Sequence, residues 1–377
     1  MANRIAAWID HWRDRLRARR DRLIADPAFQ RWSLANPLTR PIARRRARAA
    51  LDLTAGFVYS QVLFACARLS LFEILAAGPL PLADLATRLQ LPEDATRRLL
   101  DAAASLDLAE RRGGGRYGLG QIGAAFAGNP AALSLVTHQP LLYADLTDPV
   151  ALLRGEKRAT LADYWPYSDL EQPRTLEPDR VAPYSALMAA SQPMVAQEAL
   201  DAYDVSRHRR LMDVGGGEGV FLCAAAARAP DLHVTLLDLP AVAERGRARL
   251  EAAGLLARAD IHGADFLRDP LPKGADLVTL VRIVHDQDDA RALMLLRNIR
   301  NALEPGATLL VVEAMSGVKG AEPLDAYYGF YTLAMGRGEP RRVDEIEALL
   351  AQSGFGRCAL LANALPTLTS ILVARAV

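Results

Sequence analysis

The run Leu211-Met212-Asp213-Val214-Gly215-Gly216-Gly217-Glu218-Gly219 constrains this chain more than any other stretch. An apolar strand that ends in an acid and breaks into glycines at alternate positions brings the backbone to the edge of a sheet and turns it tightly. With no Cβ in the way, a ligand can approach the main chain closely. Asp238 stands nineteen residues past Gly219, at the end of a second apolar run, Val234-Thr235-Leu236-Leu237. That is near the offset of about 20 residues at which an acid grips ribose hydroxyls. The pattern predicts a nucleotide-like cofactor. The dinucleotide spacing G-x-G-x-x-G fails, because Val220 and Leu222 occupy the positions a third glycine would need. A P-loop is excluded as well, since none of the three lysines, Lys157, Lys273 and Lys319, stands in a G-K-[ST] context.

Around this motif the hydrophobic period predicts strands at about 210–214, 233–238, 259–262, 276–283 and 307–313, alternating with helices at 218–229, 240–253, 288–303 and 342–353. Such alternation predicts an α/β domain with a doubly wound, mainly parallel sheet over residues 201–377. Thr369 to Ala374 would add an edge strand. Residues 126–200 read as a helical connector carrying the aromatic segment Tyr164-Trp165-Pro166-Tyr167. Residues 51–125 read as a winged helix: helices from Pro81 to about Gln90 and from Leu91 to about Leu106, then a two-stranded wing around Gly113-Gly114-Gly115. Its second helix carries Glu93, Asp94, Arg97, Arg98 and Asp101, a balanced set rather than the basic one DNA contact needs. A dimerisation or substrate-capping role is expected there, with no nucleic-acid partner. A winged-helix regulator that senses a ligand is the rival from another class.

Charge is distributed unevenly. Residues 1–50 hold thirteen arginines and four aspartates, a net +9, against −8 for the remainder. This arm reads as two helical pieces with Ile5, Trp8, Ile9, Trp12, Leu16 and Leu23 at helical spacing among arginines, then breaks at Pro27, Pro37 and Pro41. Tryptophan on one face and arginine on another suit an anionic membrane surface or a second subunit. Leu53 to Ala67 is uncharged for fifteen residues, short of the roughly 18 that a spanning helix requires, and is expected to be a buried helix. Three scattered cysteines and an arginine-studded start predict a reducing, cytoplasmic setting with peripheral membrane contact.

A second motif closes the strand Leu277–Val284: His285-Asp286-Gln287-Asp288-Asp289. Ligands in such sheets bind beyond the carboxyl ends of strands, so His285 is either a general base or a structural histidine at a strand end. Asp288 or Asp289 would cap the helix that follows. One histidine and several aspartates fix no metal geometry, and no metal is expected.

Taken in order, D-V-G-G-G-x-G, D-L-P after the second strand, G-A-D-F, V-H-D-x-D-D and the acid Glu313 behind a winged helix resemble the plant-type O-methyltransferases that use S-adenosylmethionine (SAM). The resemblance implies a Rossmann-like SAM domain behind an N-terminal dimerisation domain, a homodimer, and S-adenosylhomocysteine (SAH) as product. It implies His285 as base, Glu313 as its flanking acid, Asp238 on the ribose and Asp265 near the adenine. Asp213, Gly215, Gly217, Gly219, Phe266 and Arg282 complete the cofactor set. Two departures stand out: Gln287 replaces the usual Trp, and Glu339 falls in register with a second flanking Glu but in the foreign context Gly336-Arg337-Gly338-Glu339-Pro340-Arg341. The segments Pro37–Arg44, Gly56–Gln61 and Tyr327–Tyr331 resemble the carotenoid O-methyltransferases of purple phototrophic bacteria, which implies a tertiary hydroxyl of an acyclic carotenoid as acceptor. Chlorin and small phenolic acceptors stay open. The acceptor pocket is expected to be apolar, with Tyr184, Met188, Met194, Tyr327, Phe330, Tyr331 and Met335 as candidates.

Overall fold

In the computed structural model, residues 2–165 and 178–377 are described; Pro166 and Tyr167 of the aromatic segment lie outside them. The chain forms two compact units, Met1–Ala124 and Ala125–Val377.

In the first unit, helices Ala2–Ala25 and Pro27–Ala35 are separated by Asp26, whose carboxylate accepts from the Ala28 N–H and caps the second. The next helix, Arg40–Arg68, starts with Pro41 in its first turn and runs unbroken through residue 50, so Arg44–Arg48 share one helix with the apolar stretch beyond. That stretch is not buried, contrary to the expectation from its composition. An 18-residue window of this helix has mean hydropathy 1.4 and is only 6% buried, and Leu51, Leu53, Phe57 and Val58 are exposed. By length and composition the helix could cross a membrane. Its packing residues sit at the far end, where Cys66 and Ala67 join Leu71, Phe72, Leu85 and Leu100 in the interior. Among the described residues the apolar side upstream stays exposed, which hydropathy alone could not reveal.

The winged helix forms as the spacing predicts. Helices Leu82–Leu89 and Glu93–Ser105 precede strands β2 (Ala109–Arg112) and β3 (Arg116–Leu119), and β1 (Leu80–Pro81) completes an antiparallel sheet of order β1-β3-β2.

The second unit is built on seven strands: β4 (Arg210–Val214), β5 (His233–Asp238), β6 (Ala259–Gly263), β7 (Leu277–Val281), β8 (Thr308–Glu313), β9 (Phe355–Leu361) and β10 (Ser370–Ala376). Their order is β6-β5-β4-β7-β8-β10-β9, with the first five parallel and β10 antiparallel to both its neighbours. The apolar stretch at the C-terminus is therefore an interior strand, not an edge. Its side chains are nearly all buried, whereas β9 buries Phe355 alone, leaves its other residues half-buried or exposed, and takes the edge. Strand β9 escapes a reading by apolar continuity because a half-wet edge strand has a broken apolar run.

Every residue of β7 and β8 is buried, as continuous apolar runs in a two-sided sheet require. One face packs on Leu295, Leu296, Ile299 and Ile346 of helices Asp289–Ala302 and Val343–Gln352. The other packs on Val195, Ala199, Phe221 and Leu250 of helices Pro178–Ala202, Val220–Arg228 and Pro240–Ala252. Strand order reverses between β4 and β7, so a crevice opens at their carboxyl ends. All the polar motifs lie at the ends of β4 to β8.

Candidate active site

The glycine turn is held by its neighbour strand. Gly215 N–H donates to the Leu237 carbonyl at 2.8 Å, and Gly217 N–H donates to Asp238 Oδ2 at 2.8 Å. Asp238 Oδ1 accepts from the Leu239 N–H at 2.7 Å. Burial pushes the Asp238 carboxyl up to about 6, against the pull of these two backbone donors. Gly215, Gly217 and Gly219 all have positive φ, the region glycine enters without a Cβ penalty. A Cβ on Gly217 would meet no protein atom within 4 Å, in a wall of the cleft, whereas one on Gly215 would strike Ile283 at 2.4 Å. Gly219 does not face the cleft. It starts the helix Val220–Arg228 and lies against Leu250.

Asp213 is buried beneath this turn and accepts from Thr279 Oγ1 of β7 at 2.6 Å. Burial raises its carboxyl to about 7, opposed by that hydrogen bond and reinforced by Asp238. Asp265 and Phe266 follow β6 and line the same cleft, with Asp265 Oδ1 accepting from the Leu267 N–H at 3.0 Å. Arg282 lies just past β7 with φ of 62°, a costly conformation for a residue with a side chain. Its guanidinium donates to Ser191 Oγ at 2.7 Å and to Met188 Sδ at 3.1 Å.

His285 sits between two carboxylates. Nδ1 is 3.2 Å from Glu313 Oε2, which also accepts the backbone N–H groups of Val284 and His285 at 3.0 and 3.1 Å. Nε2 is 3.1 Å from Asp286 Oδ1, close enough for an ion pair. Burial alone would lower the imidazole's pKa, but Asp286 and Glu313 overcome it and raise His285 to about 10. Asp286 Oδ1 and Glu313 Oε1 are buried with no well-aligned hydrogen bond among the described residues, and such orphans at a site call for a ligand or a chemical role. The cleft wall here is formed by Asp286 and Gln287 rather than by His285.

The turn bearing His285 is clamped from a loop whose role the sequence reading missed. Arg341, almost fully buried, donates to the carbonyls of Val284 and Gln287 and to Asp289. Glu339 N–H donates to the His285 carbonyl at 2.9 Å, yet its exposed side chain pairs with Arg341 at 3.7 Å. Glu339 therefore reaches the histidine through its backbone only. Gly338 has φ of 85°, and a Cβ there would strike the His285 carbonyl at 2.2 Å. The oddity of Gly-Arg-Gly-Glu-Pro-Arg was the available signal: the glycine permits the close approach and the second arginine makes the clamp. Asp288, not Asp289, caps the following helix, accepting from the Arg291 N–H at 2.9 Å. Among the described residues, no cluster of three or more His, Cys, Asp or Glu is placed to hold a metal.

Of the acceptor candidates, Tyr184 and Met188 line the cleft beside Trp165. Tyr327 and Tyr331 do not. Their hydroxyls meet Gln139 Nε2 at 2.8 Å and His138 Nε2 at 3.0 Å, within a cluster that includes Leu142, Leu161 and Trp165. Burial raises both phenols and pushes His138 down to about 4. Met335 is core in that cluster, Met194 Sδ accepts from Asn129 at 3.4 Å, and Phe330 is half-buried on the same helix as the tyrosines. An apolar residue on a helix packs first and binds second, so composition alone could not separate these roles.

Residues 143–356 match an O-methyltransferase domain and residues 51–129 an O-methyltransferase dimerisation domain. The chain is similar to demethylspheroidene O-methyltransferase of Cereibacter sphaeroides, 41% identical over 94% of this chain and 93% of that protein. It is similar also to acetylserotonin O-methyltransferase of Mus musculus, 34% identical over 83% of this chain and 84% of that one. Among solved structures, human N-acetylserotonin methyltransferase in complex with SAM superposes with a TM-score of 0.72 at 25% identity, covering 88% of this chain and 97% of that one.

Proposed function

We propose, from the premise that this chain belongs to the O-methyltransferase family and is a SAM-dependent enzyme, that its methyl acceptor is the tertiary hydroxyl of an acyclic carotenoid. The observation that carries this reading is 41% identity, across nearly the whole chain, to a demethylspheroidene O-methyltransferase. An apolar wall of Trp165, Tyr184 and Met188 beside the polar end of the cleft supports it.

The cleft suits the cofactor. The buried acid Asp238 is held ready for ribose hydroxyls, the space over Gly217 is open, and Asp265 with Phe266 lies next along the strand ends. SAM, when bound, supplies an electrophilic methyl group. The protein's part is to align the acceptor oxygen with it, an effect of about 7–11 kcal/mol when geometry is right. With SAM bound, His285 would take the hydroxyl proton as the acceptor oxygen gains the methyl group, the sulfur–methyl bond breaks and the neutral thioether SAH leaves. Glu313 holds the imidazole through Nδ1 and stabilises the cation that results. Asp286 occupies Nε2 in the free enzyme and yields that atom to the acceptor. An aliphatic alcohol is a weak acid, so proton removal and methyl transfer are concerted.

Incubating the protein with methyl-labelled SAM and a hydroxylated acyclic carotenoid, a chlorin and a simple phenol in separate reactions tests the acceptor. The expected product is a labelled carotenoid methyl ether. Label entering only the chlorin or the phenol would overturn the assignment.

The protein acts as a homodimer through residues 51–129, which covers the exposed face at Leu51, Leu53 and Phe57. The arm meets an anionic membrane: Trp8, Trp12 and Leu16 are exposed on one helix that also carries Arg13, Arg15, Arg17, Arg19 and Arg20. Deleting residues 1–48 reduces co-sedimentation with anionic liposomes while neutral liposomes show little binding of either form. Equal co-sedimentation of full-length and shortened protein would leave the arm to subunit packing.

A further inference from the structure

Among the side chains lining the cofactor cleft, Arg291 has an unusual position. It projects from the first turn of helix Asp289–Ala302 and lines the cleft with Asp265, Phe266 and Gln287. Four aspartates lie nearby in sequence or space, yet among the described residues its guanidinium has no carboxylate within ion-pair distance. Asp288 is spent on the Arg291 backbone N–H as a helix cap, and Asp289 on Arg341. The side chain is held instead by a neutral partner, with Nε donating to Gln287 Oε1 at 3.0 Å. Gln287 is itself buried, so this bond fixes the plane of the guanidinium. A second cation, Arg337, lines the same cleft. Burial and Arg337 both press the Arg291 pKa down, only partly offset by Asp288 and Asp265.

A half-buried guanidinium with no counter-ion is costly unless something else satisfies it. An aromatic face does so without bringing a charge, and arginine stacks on such faces better than lysine because it is planar. We propose that Arg291, oriented by Gln287, is a cofactor-binding residue whose guanidinium stacks on the purine base of SAM, opposite the strand-end wall of Asp265 and Phe266. This rests on the SAM reading of the cleft. It also accounts for glutamine at position 287. An aromatic residue there would offer its own ring, whereas glutamine offers an amide that aims a guanidinium. Stacking then comes from a residue four positions downstream, one helical turn away.

Calorimetric titration of wild type, Arg291→Ala and Arg291→Lys with SAH, and with S-ribosylhomocysteine, which lacks the base but keeps the ribose and amino-acid ends, tests this directly. Arg291→Ala binds SAH about tenfold more weakly, the size expected of a partly desolvated cation–π contact. Arg291→Lys is intermediate, because it keeps the charge and loses the plane. S-ribosylhomocysteine binds all three proteins equally. If SAH affinity is unchanged in both variants, Arg291 does not touch the base. Equal losses with the two ligands would overturn stacking and assign the guanidinium to the carboxylate end or to general packing. A wild-type protein that fails to bind SAH would instead overturn the cofactor assignment itself.

Discussion

Replacing His285 with alanine lowers turnover by about 10²- to 10⁴-fold, the contribution of a positioned general base, while SAH affinity stays at the wild-type level. The separation follows from geometry. Beside this turn the cleft is walled by Asp286 and Gln287 rather than by His285, and the acids proposed to hold the cofactor, Asp238 and Asp265, make no hydrogen bond or ion pair with His285 among the described residues. Glu313 keeps two of its three donors, the backbone N–H groups of Val284 and His285, so the turn survives loss of the ring. Single-turnover rates and calorimetric SAH binding measure the two quantities separately. Wild-type turnover in His285→Ala would remove the base assignment, and lost SAH binding would mean that the variant had damaged the cleft as a whole.

The second large effect is on pH dependence. An imidazole raised to about 10 is cationic at neutral pH, and as the proposed base His285 accepts a proton only in its neutral form. kcat/KM, which reports the free enzyme, therefore rises about tenfold per pH unit from neutrality and levels off near the raised pKa of His285. Asp286 contributes the largest of the upward pulls on the imidazole, ahead of Glu313, against the opposing effect of burial. Asp286→Asn removes that charge next to Nε2, so His285 loses its proton at lower pH and the rising limb moves toward neutrality. The variant is then faster than wild type on the acid side, an outcome a merely structural aspartate would not produce. Parallel profiles for wild type and Asp286→Asn would show that His285 does not govern the limb.

Much of the α/β unit was legible because its strands are buried on both faces. Val278, Leu280, Leu309 and Val311 announce a central parallel strand by apolar continuity alone. Asp238 was legible for a similar reason, since spacing from a glycine turn is a local property of a βαβ unit. What escaped were features whose signal is non-local. Arg341 looks like a surface arginine until the chain folds it under the His285 turn. Tyr327 and Tyr331 look like pocket residues until Gln139 and His138, nearly two hundred positions upstream, take their hydroxyls. The stretch Leu53–Ala67 looks like core until the fold leaves Leu53, Phe57 and Val58 exposed.

By itself the sequence determined that a glycine turn follows an acid-tipped strand, that Asp238 stands at the ribose offset, and that a histidine ends a later strand with an acid ending the next. Those are matters of periodicity and spacing, which the chain carries along its own length. Only the tertiary structure decided that His285 is gripped from both ring nitrogens, that Asp286 rather than Glu339 supplies the second carboxylate, and that Gly338 and Arg341 hold the turn in place. Charges and carbonyls separated by tens of residues act on one another only at contact distance, and contact is what folding adds.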